Sequence, residues 1–221
     1  MTKFNRTYAI DIETIPNPEM LHLLPEPEVA LGNLKDPIKI EAKIADAKQK
    51  QIDNMALNPL YGKICCIGYY SEEDGKGCYI DNDETKIITN VMSEIFDAKN
   101  RNSTQIITWN GCNFDVPFIF KRALLLGIPT TTYLGMWVTR YSNTPHADLM
   151  QIWSNWSFQG YTKLDDMSSV LLGEKKIDID FRTFPELMKT QGGMDAISEY
   201  CLEDCRLTYS IFKKFNGVLF Y

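Results

Sequence analysis

Thr7-Tyr8-Ala9-Ile10-Asp11-Ile12-Glu13-Thr14 is a short apolar run rich in strand formers that turns acidic toward its end. Successive strand side chains point to opposite faces, so Asp11 and Glu13, two apart, share one face. Two adjacent carboxylates are costly to bury unless a positive charge sits between them, and a hard cation such as Mg²⁺ is the usual solution. A solvated strand end carrying two acids reads equally well from this pair alone.

Downstream of this strand the chain changes character. Pro16, Pro18, Pro25, Pro27 and Pro37 punctuate the next stretch and leave room for turns or one short helix. Residues 38–56 are Ala/Lys/Gln/Ile-rich and predict an amphipathic helix. Residues 16–60 therefore read as a Pro-rich and helical insertion, too poor in apolar mass to form its own core. Strands follow at 62–70 and 76–81, the latter entered through Gly75 and Gly77 as in a hairpin. Apolar spacing then predicts a helix over 83–98, a strand over 104–109 and a helix over 115–127 closed by Gly127. A short edge strand is expected at 147–150, with helices at 162–172, 184–190 and 195–215. Strands first, then strands alternating with helices, imply one α/β domain over residues 1–221, a mixed sheet flanked by α-helices.

At 221 residues, 44% hydrophobic and 12% aromatic, the chain is excluded from the disordered and collagen-like classes. No apolar run reaches the roughly 20 residues of a membrane span, and Met1-Thr2-Lys3-Phe4-Asn5-Arg6 lacks a signal-peptide core. The cytoplasm is the expected compartment, with no membrane partner. The six cysteines lack C-x₂-C spacing and read as reduced, buried thiols. With 23 basic against 29 acidic residues, broad electrostatic capture of nucleic acid is disfavoured, although bound divalent cations would invert the sign of an acidic pocket.

Two further clusters carry chemistry. Trp109-Asn110-Gly111-Cys112-Asn113-Phe114-Asp115 joins a strand to a helix, where Asp115 serves either as an N-cap or as a metal ligand at the strand-end crevice. Gly111 would let the backbone turn tightly, and Asn110 and Asn113 offer neutral donors and acceptors. Tyr200 and Asp204 are four apart and share a face of the last helix. Taken alone they also fit boundary packing and a solvated acid.

Asp11-Ile12-Glu13-Thr14, Asn110 through Asp115, and Tyr200-Cys201-Leu202-Glu203-Asp204 together resemble, in order, the three exonuclease motifs of the DEDD superfamily of 3′-5′ exonucleases. The chain is most similar to its tyrosine side: the proofreading domain of family B DNA polymerases and the stand-alone proteins related to it. In histidine-type members the His lies one residue before the tyrosine position; here that residue is Glu199. The resemblance implies an RNase H-like fold in which Asp11, Glu13, Asp115 and Asp204 hold two divalent cations, Mg²⁺ or Mn²⁺. It implies that Tyr200 orients the attacking water and that Asn110, Asn113 and Phe114, with Thr14 of the first motif, contact the terminal nucleotide. His22 and His146 receive no catalytic role.

The expected activity is metal-dependent 3′-5′ hydrolysis of DNA ends, single-stranded or frayed, releasing 5′-nucleotides. The same chemistry on RNA and a catalytically silent binding domain are the alternatives. Four acids and a tyrosine that would repel one another without cations speak against the silent domain. Trp109, Trp137, Tyr141, Trp153, Trp156, Phe158 and Tyr161 are available to stack bases, with core packing expected for at least half, Trp109 in particular. Lys121, Arg122 and Arg140 are candidate phosphate contacts. Lys39, Lys43, Lys48 and Lys50 would let the insertion clamp a strand, unless it merely covers the sheet edge. The related proofreading domains carry a polymerase domain; with this chain ending at Tyr221, an independent nuclease, or a subunit acting in trans with a replication or repair protein, is expected.

Overall fold

In the computed structural model, which describes residues 4–100 and 103–219, the opening run forms β1 (Arg6–Pro16). The ends of the expected domain, residues 1–3 and 220–221, lie outside the described residues. After β1 come α1 (Pro37–Met55), β2 (Gly62–Ser71), β3 (Gly75–Ile80), α2 (Glu84–Glu94), β4 (Thr104–Thr108) and α3 (Asp115–Leu125). The chain continues through β5 (His146–Asp148), α4 (Leu149–Trp153), α5 (Leu164–Leu171), α6 (Phe184–Leu187) and α7 (Gln191–Phe215). The five strands form one mixed sheet in the order β3-β2-β1-β4-β5. β2 runs antiparallel to β1 and β3, while β4 runs parallel to β1 and β5. This is the α/β architecture expected, a mixed sheet flanked by helices.

β1 lies at the centre and is packed on both faces. Ile10 and Ile12 join Ile64, Ile67 and Ile106 against Ile87, Val91, Val116 and Ile119 of α2 and α3. On the opposite face Ala9 and Ile107 meet Leu207 and Ile211 of α7. Period two then dictates that Asp11 and Glu13, between and beyond those isoleucines, face α7. Parallel pairing of β1 with β4 covers Arg6–Ala9 only, so beyond Ala9 β1 runs on paired with β2 alone and open on its β4 side. The crevice opens where the chain leaves β1 toward β2 and leaves β4 toward β5, the topological switch point of the sheet.

Local chemistry moved several expected boundaries. The strand expected at 147–150 is His146–Asp148 and becomes helical at once, because the Asp148 carboxylate caps α4 by accepting from the Gln151 N–H. α7 starts four residues earlier than the expected 195, since the Thr190 hydroxyl accepts from the Gly193 N–H and lets two glycines enter the first turn. α2 ends at Glu94, before the expected 98. Of α1, only Met55 is buried; the helix is fastened to the sheet where the Thr14 hydroxyl donates to Ala56 O at 2.7 Å. Lys43 donates to Ala30 O at 2.5 Å and Lys48 pairs with Glu26 at 2.9 Å, so both are engaged within the insertion itself. Among the described residues, no helix is long and apolar enough to cross a membrane.

Arg122 is not available to phosphate. Its guanidinium is buried against Glu84 at 2.6 Å and donates to Pro59 O at 3.0 Å. Glu84 also accepts the Ile64 N–H at 2.7 Å, tying α3, α2 and β2 together. Arg122→Ala would leave Glu84 buried and uncompensated. The expected loss is about 3–5 kcal/mol, read as a lower urea midpoint with an unchanged slope.

Candidate active site

The crevice at the C-terminal ends of β1 and β4 opens into a cavity of about 940 Å³ whose walls include Asp11, Trp109, Asn110, Tyr161, Lys176, Tyr200 and Asp204. Asp11 and Glu13 descend from β1, Asp115 from the first turn of α3, and Asp204 from α7 beneath β1. Gly68 on β2 makes room for that helix: a Cβ there would lie 2.8 Å from Cys201 Sγ. The thiol of Cys201 sits 3.8 Å from Asp11 Oδ2, and ligand atoms of Asp11, Glu13 and Cys201 lie within 4.8 Å of one another.

Asp115 does not act as an N-cap. It is the first residue of α3, and its Oδ1 reaches across the crevice to accept the Ile12 N–H at 3.2 Å, the amide that β4 leaves free. The capping role that the loop needs belongs to Asp148, which sequence reasoning passed over. Its two carboxylate oxygens accept the N–H groups of Asn110 and Cys112 at 3.0 and 2.9 Å. The tight turn also falls elsewhere than expected: Asn110, not Gly111, adopts the left-handed conformation (φ 73°). Gly111 is required because a Cβ would overlap the Thr108 side chain.

The electrostatics are those of crowded, desolvated acids. Burial, reinforced by Cys201, Glu13, Asp115 and Asp204, holds the Asp11 carboxyl well above the usual range. Glu13 is raised for the same leading reason. Burial pushes Asp115 up to about 8 and Asp204 up to about 6, the latter against the opposing pull of Lys176. Among the described residues, the only ion pair these four carboxylates make is that of Asp204 with Lys176. Asp204 Oδ1 is buried with no hydrogen-bond partner. A set of hard oxygen donors with too little positive charge, one of them orphaned, fits a divalent cation.

Lys176 is the second residue the sequence did not reveal. It lies between α5 and α6, a stretch without helical or strand periodicity, and its Nζ donates to Tyr200 OH at 3.0 Å while sitting 4.7 Å from the ring centroid. Burial pushes the Tyr200 phenol up to about 12 in spite of that neighbour, so it stays protonated near neutrality. Asn113 Nδ2 donates to Asn110 Oδ1 at 2.9 Å and to Tyr161 OH at 3.1 Å, forming one rim. Phe114 is half-buried beside Phe118. The Thr14 hydroxyl is engaged by Ala56, as described, and Thr14 does not line the cavity. Trp109, expected in the core, is half-buried at the cavity wall with Nε1 donating to Thr162 O at 3.0 Å; Trp137 is the aromatic buried in the core. His146 is buried, with Nδ1 2.9 Å from Trp137 O and Nε2 2.8 Å from Thr108 Oγ1, and burial lowers its pKa.

Residues 61–219 match the family described as a predicted 3′-5′ exonuclease related to the exonuclease domain of PolB. A DNA polymerase of Thermococcus litoralis is 26% identical over 175 residues, covering 70% of this chain and 10% of the polymerase. DNA polymerase 1 of Sulfolobus acidocaldarius is 28% identical over 193 residues, covering 81% of this chain and 20% of its own. The chain thus spans a fifth or less of these relatives. The structure of the family B DNA polymerase from Pyrobaculum calidifontis shares the fold, with a TM-score of 0.60 at 16% identity over 95% of this chain and 24% of the polymerase.

The raised carboxyls have a consequence for stability. Between about pH 4, where the unfolded acids ionise, and about pH 8, these carboxyls hold more protons folded than unfolded, so their contribution to stability falls as pH rises, while buried His146 acts in the opposite direction at the acidic end of the window. In chelator, Tm should be lower near pH 8 than near pH 5, and Asp115→Asn should flatten the decline. Mn²⁺ added near pH 8 should raise Tm by binding the folded state. A chelated protein whose Tm climbs steadily through this window would contradict the described desolvation.

Proposed function

Because the chain belongs to the family of predicted 3′-5′ exonucleases related to the exonuclease domain of PolB, we propose that it is a divalent-metal-dependent 3′-5′ exonuclease that removes 5′-nucleotides from single-stranded or frayed DNA ends. The observation that supports this reading is that Glu13, Asp115 and Asp204 all lie near enough to Asp11 to raise its carboxyl, with Asp11 and Asp204 both lining the cavity and an oxygen of Asp204 orphaned. That similar domains occur within DNA polymerases supports DNA as the substrate and a replication or repair protein as the partner.

The four carboxylates are the residues that would hold the two cations, Mg²⁺ or Mn²⁺. Bound there, the ions would supply an acidified water and neutralise charge on the phosphoryl and leaving oxygens. The rest of the work falls to the chain. Asp11 and Glu13 are held rigid by a strand packed on both faces, and Asp115 by its bond to Ile12, so the ligand set is preorganised. Lys176 donates to the phenol oxygen of Tyr200, which leaves the phenol O–H to donate into the cavity and fix the attacking water or a phosphate oxygen. At a pKa of about 12 the phenol is a positioning donor rather than a bulk base. Asn110, Asn113 and Phe114 would meet the terminal sugar and base at the rim, with little sequence preference. The insertion at 16–60 contributes Ala56 as the anchor of Thr14.

The test is a digestion of end-labelled single-stranded DNA, duplex with a mismatched 3′ end, and RNA, each with Mg²⁺ or Mn²⁺ and with chelator. A ladder shortening from the 3′ end of DNA only in the presence of metal is expected. Faster loss of RNA would reassign the activity to an exoribonuclease, and intact substrates throughout would leave a silent binding domain. Tyr200→Phe should lose roughly 10- to 1000-fold in rate while retaining Mn²⁺ binding by calorimetry. Asp11→Ala should be the more damaging change, and turnover within a few fold of the parent would rule out its proposed role.

A further inference from the structure

A second, smaller cleft adjoins the cavity. Its volume is about 130 Å³, and Asn113, Arg140, Gln151, Trp156, Phe158 and Tyr161 are among its walls. Tyr161 belongs to the walls of both, and its hydroxyl accepts from Asn113 at 3.1 Å and from Gln151. Since Asn113 also donates to Asn110 of the cavity wall, one hydrogen-bonded seam joins the two spaces. The smaller cleft falls well below the roughly 300–1,000 Å³ of a site that engulfs a whole ligand, and suits one planar ring entering edge-first.

The aromatic groups around this cleft are not used by the core. Phe158 is 77% exposed with its ring centroid 5.1 Å from that of Tyr161, and Tyr141 is 74% exposed at 5.3 Å from Trp156. Trp156 is held in place by a left-handed backbone at both Asn155 and Trp156 (φ 51° and 61°), a conformation bulky residues rarely adopt. Its N–H donates to Gln151 O at 2.8 Å, which fixes the turn. The guanidinium of Arg140 lies 5.5 Å from the Tyr141 ring centroid and makes no ion pair with any described carboxylate. Exposed aromatic faces interleaved with a free cation, continuous with an acidic hydrolytic crevice, are the composition of a single-strand track.

We propose that the cleft between Phe158 and Arg140 is a base-stacking subsite for nucleotides 5′ of the one held in the cavity, with Phe158 and Trp156 taking base faces and Arg140 a backbone phosphate. This rests on the exonuclease reading, and it adds a strand-length requirement that the acidic crevice alone does not impose. One base–aromatic stack lost corresponds to roughly a 5- to 150-fold weaker complex.

The experiment measures binding of a thymidine dinucleotide and a thymidine octanucleotide in chelator, by anisotropy of a 5′-label and by quenching of tryptophan emission. The parent should hold the octanucleotide more tightly than the dinucleotide. Phe158→Ala, at an exposed position that folding does not need, should weaken only the octanucleotide, and Phe158→Tyr should restore it. Arg140→Gln should lower the salt dependence of octanucleotide binding by about one phosphate contact. Equal affinity of parent and Phe158→Ala for the octanucleotide, an equal loss for both lengths, or no binding at either length would each overturn the subsite. The outcome is separable from the nuclease reading. A metal-dependent ladder with unchanged octanucleotide affinity in Phe158→Ala removes the subsite alone, whereas length-dependent stacking without any ladder removes the nuclease alone.

Discussion

Four acids crowd one desolvated region with a single ion-pairing lysine, and the cost of ionising them together is the constraint the rest of the structure has to bear. Ionised together, such a cluster would push its members apart. It persists because the elements carrying it have no freedom to separate. β1 is packed against α2 and α3 on one face and α7 on the other, and α7 is 25 residues long with Leu207, Ile211 and Phe215 anchoring it well beyond Asp204. Apolar burial on both sides of the sheet thus opposes repulsion at the C-terminal end of its central strand.

Close approach is the second requirement. Gly68 has no side chain where Cys201 meets β2, so α7 can lie near enough to the sheet for Asp204 and Tyr200 to face the strand that bears Asp11. Gly111 does the same for the loop after β4, where only a missing Cβ lets the chain pass Thr108 before α3 delivers Asp115. Neither glycine needs a left-handed conformation. Both are spacers, and the metric of the crevice follows from them.

The sheet, its order of helices and the placement of the acids were legible because each depends on a period. Asp11 and Glu13 follow from alternation along β1, and Tyr200 and Asp204 from helical spacing. What escaped depends on tertiary contact without a period. Lys176 sits in a connection with no pattern to mark it. Asp148 could have been noticed as an acid just before the apolar Leu149-Met150, yet the brevity of α4 hid the cap. Arg122 looked like a surface cation on a helix, and only the fold shows Glu84 waiting for it in the interior. Asn110 took the left-handed turn expected of its neighbour, because asparagine tolerates that conformation and Gly111 was needed for proximity instead.

The partners of each carboxylate separate structural acids from those free to bind. Asp148 accepts three backbone amides, from Asn110, Cys112 and Gln151, and its charge is consumed in holding the loop and starting α4. Glu84 is neutralised by Arg122 and occupied by Ile64. Asp115 accepts Ile12 from across the crevice and still holds its proton up to about 8, so hydrogen bonding does not offset its burial. Asp204 spends one oxygen on Lys176 and leaves the other bare. Buried acids in a folded chain are ordinarily satisfied; Asp148 and Glu84 follow that rule, and the crevice acids, left short of positive charge, depart from it, which supports the proposed cation site.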